Sequence, residues 1–184
     1  KMAYQVAKEL EELKVFWLEE PLPSHQFELM AKLRDSVGIR IAGGEMNRHM
    51  HDFRELNKVN ALDVYQPDVA LSGGITQTKK VADLVQGSGA WFSPHTWTNG
   101  IGLLANLHLA AAVSHCPYLE FPYDPPAWSN ERRDYIQQKP LMIDKDGYLV
   151  APEQPGLGID LDEEALKQYE INHFYVGEKN TVSI

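Results

Sequence analysis

Apolar stretches that end in an acidic or imidazole side chain recur along this chain at nearly even spacing. The landmarks are W-L-E-E-P at Glu19, R-I-A-G-G-E at Glu45, V-Y-Q-P-D at Asp68, W-F-S-P-H at His95 and Y-L-E at Glu120, separated by 26, 23, 27 and 25 residues. A repeat of about 25 residues accommodates one strand, one crossover helix and two short connections, which is the unit a parallel sheet requires. Titratable groups at the carboxyl ends of successive strands belong to the rim from which a β/α barrel builds its active site. In W-L-E-E-P the proline, Pro21, stops the strand. Alternation along a strand sends Glu19 and Glu20 to opposite sides, so only one of them faces a shared centre.

Between the landmarks the periodicity changes to that of helices. Residues 1–14 carry Ala3, Val6, Ala7, Leu10 and Leu13 at intervals of three and four, and residues 27–37 place Leu29, Met30 and Leu33 on one face with Gly38 where a C-terminal cap belongs. The strand 39–45 ends in Gly43 and Gly44, which leave no side chain beside Glu45 and let a ligand or metal approach the backbone; a glycine turn is the alternative. A helix at 52–59 leads to a strand at 61–68, where Pro67 ends ladder pairing one residue before Asp68. The loop L-S-G-G-I-T-Q-T then enters a helix at 76–86; it lacks the lysine and spacing of a phosphate-binding loop and reads as a plain βα turn. The helix 102–113 is apolar on most of its circumference and must be covered on more than one side, which makes His108 a packing residue.

Past Glu120 the pattern changes. Pro122, Pro125 and Pro126 interrupt the period, 141–150 reads as a β-hairpin with Asp146 and Gly147 in its turn, 155–158 as a loop, and Asp162 as the cap of a short helix at 163–169. A first residue already inside a helix, and five strand ends against the roughly eight of a barrel, make the expected organisation a portion of a longer chain. Residues 1–122 are its barrel part and 123–184 an extension.

Composition sets the outer bounds. With 184 residues, 43% of them hydrophobic, the chain can bury a sizeable core, and a net charge of −9 argues against nucleic acid or an anionic membrane as partner. Cys116 is the single cysteine, so no intrachain disulfide forms; it reads as a packing residue in a reducing compartment, and a cytoplasmic location is expected. No apolar run reaches the roughly 18 residues of a membrane span, and no signal peptide is recognisable.

Taken together, the five landmarks resemble the enolase superfamily and, within it, the mandelate racemase subgroup. The matching pattern is an E-E-P strand end, a G-E strand end 26 residues on, and then an aspartate, a histidine and a glutamate on the last three strands. It runs from the helix before Trp17 through the P-G-L-G-I tail. The resemblance implies an α/β fold, the C-terminal portion of a TIM-type (β/α)7β barrel comprising strands 4 to 8, with an N-terminal capping domain and the first three strands falling before Lys1. It implies that Glu19 and Glu45 bind Mg2+ and that Glu20 supports the strand end. The family's third ligand, an aspartate on the preceding strand, and the lysine that often serves as a second base fall before Lys1 as well.

That resemblance also implies a chemistry, removal of a proton beside a carboxylate, in which Mg2+ offsets the charge of the ene-diolate. Asp68 and His95 correspond to the family's base, the carboxylate fixing the imidazole tautomer. Glu120, crowded by other acids, would keep its proton and donate a hydrogen bond to the substrate carboxylate. His25, Asn47 and Trp97 lie on the side where substrate enters and are candidates for contacting it, as are Arg48 and His49; surface loops, or packing for Trp97, are the other reading. His51 lies on the same side and reads as a loop residue. The expected function is dehydration of a sugar acid, a small-molecule hydroxy-carboxylate, by a homo-oligomer. Racemisation or epimerisation of a 2-hydroxy acid is the alternative, and a barrel that binds acid sugars without turning them over is the reading from a different class.

Overall fold

The computed structural model describes residues 1–171. Parallel strands β1 (Trp17–Glu19), β2 (Arg40–Gly43), β3 (Val64–Tyr65) and β4 (Trp91–Phe92) form one sheet in the order β1-β2-β3-β4. The register pairs Glu19 with Ala42, Gly43 with Tyr65, and Tyr65 with Phe92, so the strands end level with one another. Each parallel step is made through a helix. α1 (Met2–Glu12) precedes β1, and α2 (Phe27–Ser36), α3 (Met50–Lys58), α4 (Ile75–Gln86) and α5 (Gly100–Ala111) follow the four strands in turn. Two short helices, α6 (Asn130–Arg133) and α7 (Glu163–Gln168), lie in the segment after the sheet. The α/β fold with a parallel sheet is the one the 25-residue period requires.

The core forms where the helices lay their apolar faces on the sheet. Ile41, Phe53, Val85 and Phe92 are fully enclosed and belong to one cluster with Met30, Leu33, Leu56, Val81 and Leu109. Phe53 is its largest fully buried hydrocarbon side chain on α3, and truncation to Ala removes about 3–5 kcal/mol at a site of this kind. On α2 the enclosed residues are Met30, Ala31 and Leu33, while Leu29, which the spacing placed on the same face, is 47% exposed. α5 has Leu103, Leu104, Leu107 and Leu109 all buried, as an all-round apolar helix must.

Several expected elements differ in detail. The stretch ending at Glu120 forms no ladder. It is bracketed by Pro117 and Pro122, which have no N–H to give, and side chains take the place of strand pairing: Ser93 Oγ donates to the Tyr118 carbonyl at 3.0 Å and Thr96 Oγ1 to the Glu120 carbonyl at 2.8 Å. The described residues therefore contain four paired strands where five strand ends were read. At 141–150 the turn forms, with Asp144 N donating to the Tyr148 carbonyl at 2.8 Å, but no ladder extends from it. Asp144 Oδ1 takes the N–H groups of Asp146 and Tyr148, which closes the turn locally without recruiting a second strand. Gly38 is not a left-handed cap, since α2 ends at an extended Val37; Gly38 instead gives its N–H to Glu11 Oε2 at 2.8 Å.

Past the sheet, the chain is pinned rather than paired. Arg133 and Asp134 form a buried ion pair, Arg133 Nη1 and Nη2 also donate to the Pro122 and Leu141 carbonyls, and the guanidinium lies 4.3 Å from the Phe121 ring centre. Asp134 and Gln137 press against the start of α5 so closely that a Cβ at Gly100 would collide with both. His108 is a packing residue that also holds the tail, its Nε2 lying 3.1 Å from the Leu157 carbonyl. Asp162 caps α7 as expected, accepting from Glu164 N and Ala165 N. Residues 172–184 of the expected extension lie outside the described residues. No helix among the described residues is long and apolar enough to cross a membrane.

Candidate active site

The level ends of the four strands bring their polar residues to one edge of the sheet. After β1 the chain turns through Glu20, a non-glycine residue at φ 39, whose Oε1 meets Gly44 N at 3.4 Å. That turn separates the two adjacent glutamates, so Glu20 braces the neighbouring strand and Glu19 is free to reach across the rim. Gly44 follows β2 at φ 118, and a side chain there would press on Phe53 and on the backbone of Gln66. Only glycine carries the chain through this point and presents Glu45 to the same edge.

His95 sits between two carboxylates. Its Nδ1 is 2.9 Å from Asp68 Oδ2 and its Nε2 is 3.5 Å from Glu45 Oε2. The Asp68 side chain is fully enclosed, whereas 12% of the His95 side chain remains exposed. Burial alone would push the imidazole pKa down, but the Asp68 hydrogen bond together with the charges of Glu45, Glu120 and Asp68 outweighs it, and the pKa lies above the usual value. Burial raises the Glu45 pKa; the His95 charge opposes this, and Glu20, Glu19 and Glu120 add to it. Burial also raises that of Glu120, against the Thr96 N–H, the His95 charge and a hydrogen bond from Trp97, with Glu19 adding to the rise. The rim is a place where anions crowd and where burial and neighbouring acids oppose ionisation of Glu45 and Glu120.

Glu45, Asp68 and His95 are thus in direct contact, and Glu19 and Glu120 lie within electrostatic reach of them. The remaining candidates are placed differently. Asn47 is 5% exposed beside the rim, with its carbonyl accepting from Ser72 Oγ. Trp97 is half-exposed next to His95, its ring centre 6.1 Å from that of Trp128. His25 and His49 are exposed in the loops after β1 and β2, outside the hydrogen-bond network, and Arg48 turns its guanidinium to the Glu45 carbonyl oxygen at 3.2 Å rather than to the carboxylate.

Three buried polar residues that the strand-end pattern passed over complete the network. Gln66 Nε2 donates to Glu19 Oε2 at 2.8 Å, and Thr96 N donates to Glu120 Oε2 at 2.7 Å. Asn106, in the middle of α5, donates through Nδ2 to Asp68 Oδ1 at 3.0 Å. Each had a signal in the sequence: Gln66 stands two residues before Asp68 and shares its face, Thr96 follows His95, and Asn106 is a lone amide in an apolar run.

The donor set suits a hard divalent cation. Glu19, Glu45 and Glu120 lie within electrostatic reach of one another at the rim, and among the described residues no lysine or arginine pairs with them. Mg2+ takes a few such oxygens and fills its other positions with water or substrate. Among the described residues no group of three or more His, Cys, Asp or Glu side chains is arranged to hold a metal ion.

Known proteins resemble this chain over most of its length. The Enolase C-terminal domain-like family matches residues 1–165. Arabinonate dehydratase of Saccharolobus solfataricus is 32% identical over 91% of this chain and 43% of its own length. D-xylonate dehydratase of Haloferax volcanii is 30% identical over 92% of the chain and 40% of its own. Among solved structures, a mandelate racemase/muconate lactonizing enzyme-like protein from Rubrobacter xylanophilus superposes with a TM-score of 0.81 at 33% identity, covering 91% of this chain and 42% of that one. The parallel sheet with its acid-and-histidine rim is thus of the β/α-barrel type, and the chain belongs to the enolase superfamily, in its Enolase C-terminal domain-like family. It spans less than half the length of each of these relatives.

Proposed function

We propose that these residues form the catalytic rim of a Mg2+-dependent enzyme that removes the α-proton of a sugar acid and eliminates water from it. The carrying observation is His95, with Nδ1 against the enclosed Asp68 carboxylate and Nε2 directed to the acidic centre. Asp68 holds the Nδ1 proton and leaves the Nε2 lone pair available as a base, and it stabilises the imidazolium once the substrate proton arrives. Glu19 and Glu45 are the Mg2+ ligands contributed by this chain, the others coming from residues outside it. When bound, the ion would offset the second negative charge that the substrate carboxylate acquires as its α-proton leaves.

Glu120, whose carboxyl burial pushes above its ordinary pKa, is the donor to the substrate carboxylate in this reading, while Thr96 N fixes its other oxygen. In the elimination the α C–H pair becomes the new double bond, the β C–O bond breaks, and the hydroxyl leaves as water with a proton such as the one His95 has taken. Asn47 and Trp97 line the approach, and His25 reaches substrate from the loop after β1. The dehydratase reading draws support from relatives that act as arabinonate and D-xylonate dehydratases.

The test is incubation of the whole protein with Mg2+ in deuterium oxide and a panel of arabinonate, xylonate and galactonate, followed by proton NMR. The expected result is loss of the α-proton signal with formation of a 2-keto-3-deoxy acid. Deuterium uptake with no elimination product would replace dehydration with racemisation. Binding without either would leave only a sugar-acid-binding barrel.

A further inference from the structure

An amide buried in an apolar helix carries a desolvation penalty that alanine or leucine would avoid, unless its hydrogen bonds are all made. Asn106 of α5 has no exposed surface and makes three. Its Oδ1 accepts from Val69 N at 3.0 Å, and its Nδ2 donates to Asp68 Oδ1 at 3.0 Å and to the Gly102 carbonyl at 3.1 Å. The Val69 N–H settles which end of the amide is oxygen, since only a carbonyl can receive it. Asp68 Oδ1 is shared between Asn106 and Ala70 N, the latter at 2.8 Å. Its two oxygens therefore have separate partners, Oδ1 the amides and Oδ2 the imidazole at 2.9 Å.

This arrangement fixes the torsion of the carboxylate. Rotating Asp68 far enough to lose His95 also breaks the bonds of Oδ1, and Asn106 additionally grips the backbone one residue further on. The Gly102 carbonyl anchors the amide to the first turn of α5, the helix that leaves the His95 loop through the Asn99 cap. Asn106 thus joins the end of β3 to the element that follows β4.

We propose that Asn106 is a positioning residue for the reaction: by holding Asp68 Oδ1 it aims Oδ2 at His95 Nδ1 and keeps the neutral imidazole in the Nδ1–H form, with Nε2 bare toward substrate. This rests on the reading of His95 as the base, and it is testable separately. Nitrogen NMR of the whole protein labelled with 15N-histidine, recorded at a pH high enough to leave His95 neutral, reports the tautomer directly and requires no substrate. Wild-type His95 is expected in the Nδ1–H form; an Nε2–H form in the wild type overturns the proposal without any variant.

Asn106→Leu removes all three bonds, and Asn106→Asp keeps an acceptor for Val69 N while removing the donor to Asp68. Both should lose the Nδ1–H preference and, with the sugar acid that the panel identifies, lower kcat by about 10- to 100-fold with little change in KM. Leu104→Ala, a cavity on the same helix, serves as the control for lost stability alone and should change neither readout. Folded Asn106 variants with the wild-type tautomer and kcat would overturn the proposal. Should His95→Asn retain α-proton exchange, the base assignment falls, and the tautomer measurement still decides whether Asn106 orients the pair.

Discussion

The sheet region, residues 1–122, and the segment after it, 123–171, both bury charged groups, and they treat them in opposite ways. In the segment after the sheet Arg133 and Asp134 are fully enclosed and fully partnered, the guanidinium shared between one carboxylate, two carbonyls and an aromatic face. Nothing in that cluster is left to react. At the rim of the sheet, Glu45 and Glu120 are held at raised pKa values because burial and neighbouring acids oppose their ionisation. The first arrangement ties irregular chain to the fold where only isolated bridges, Asp124 with Trp128 and Gln137 with Leu161, replace a ladder. The second leaves the acidic centre to which the proposed cation and anionic substrate are assigned. Full compensation gives rigidity, and incomplete compensation gives a site.

Substitutions in the two regions should therefore separate activity from stability. The largest effect is expected for His95→Asn, which should reduce α-proton exchange by about 100- to 10,000-fold with substrate and Mg2+ still bound, as read by deuterium incorporation; exchange at the wild-type rate would remove His95 as the base. Arg133→Met should do the reverse. It leaves Asp134 enclosed without its cation and should lower unfolding free energy by about 3–5 kcal/mol in denaturant titrations, whereas the rim carboxylates keep their partners. If it destabilised by less than the single cap described below, the tail would not depend on the ion pair.

Glu45→Gln should weaken Mg2+ binding in calorimetric titration and leave circular dichroism unchanged, because one anionic oxygen is lost at a place already short of neutralising charge. Unaltered affinity would show that Glu45 is not a ligand. Asp162→Ala removes the oxygen that caps the first turn of α7 and should cost about 1 kcal/mol, confined to the tail and visible as faster amide exchange at Glu164 and Ala165.

The smallest effect is a slope with pH. Both His95 and Glu120 have folded pKa values above their ordinary ones, so in the metal-free protein the folded state holds more protons than the unfolded state between the two values. Stability then falls as pH rises through each window. For His95 the contribution is complete below the usual value of about 6.5 and is lost as pH passes the raised one. Glu120→Gln should flatten the acidic part of the curve and His95→Asn the part nearer neutrality. A wild-type curve that climbs through both windows would contradict the assigned directions.

The alternation of strands and helices was legible because it is written in local pattern: three-and-four spacing for α1 and α2, apolar runs ended by Pro21 and Pro67, and a nearly even interval between them. The strand ends also named the titratable groups of the rim, since parallel strands in register deliver their last residues to one edge. Where the local pattern was ambiguous the reading failed. Y-L-E has the pattern of a strand, but its carbonyls at Tyr118 and Glu120 are taken by the hydroxyls of Ser93 and Thr96 in place of a ladder, and D-K-D-G-Y has the pattern of a hairpin whose turn closes on itself through Asp144.

What the sequence by itself determined was the βα order and the identity of the strand-end residues, because both follow from contacts between near neighbours along the chain. The tertiary structure alone decided what each of those residues leans on. Gln66 meets Glu19 across 47 residues, Asn106 meets Asp68 across 38, and Thr96 meets Glu120 across 24. Such pairs form only after helices have crossed over the sheet and set the distance between strand ends. No periodicity in the chain encodes that distance, which comes from the packing of side chains such as Phe53, Val85 and Phe92 between the layers.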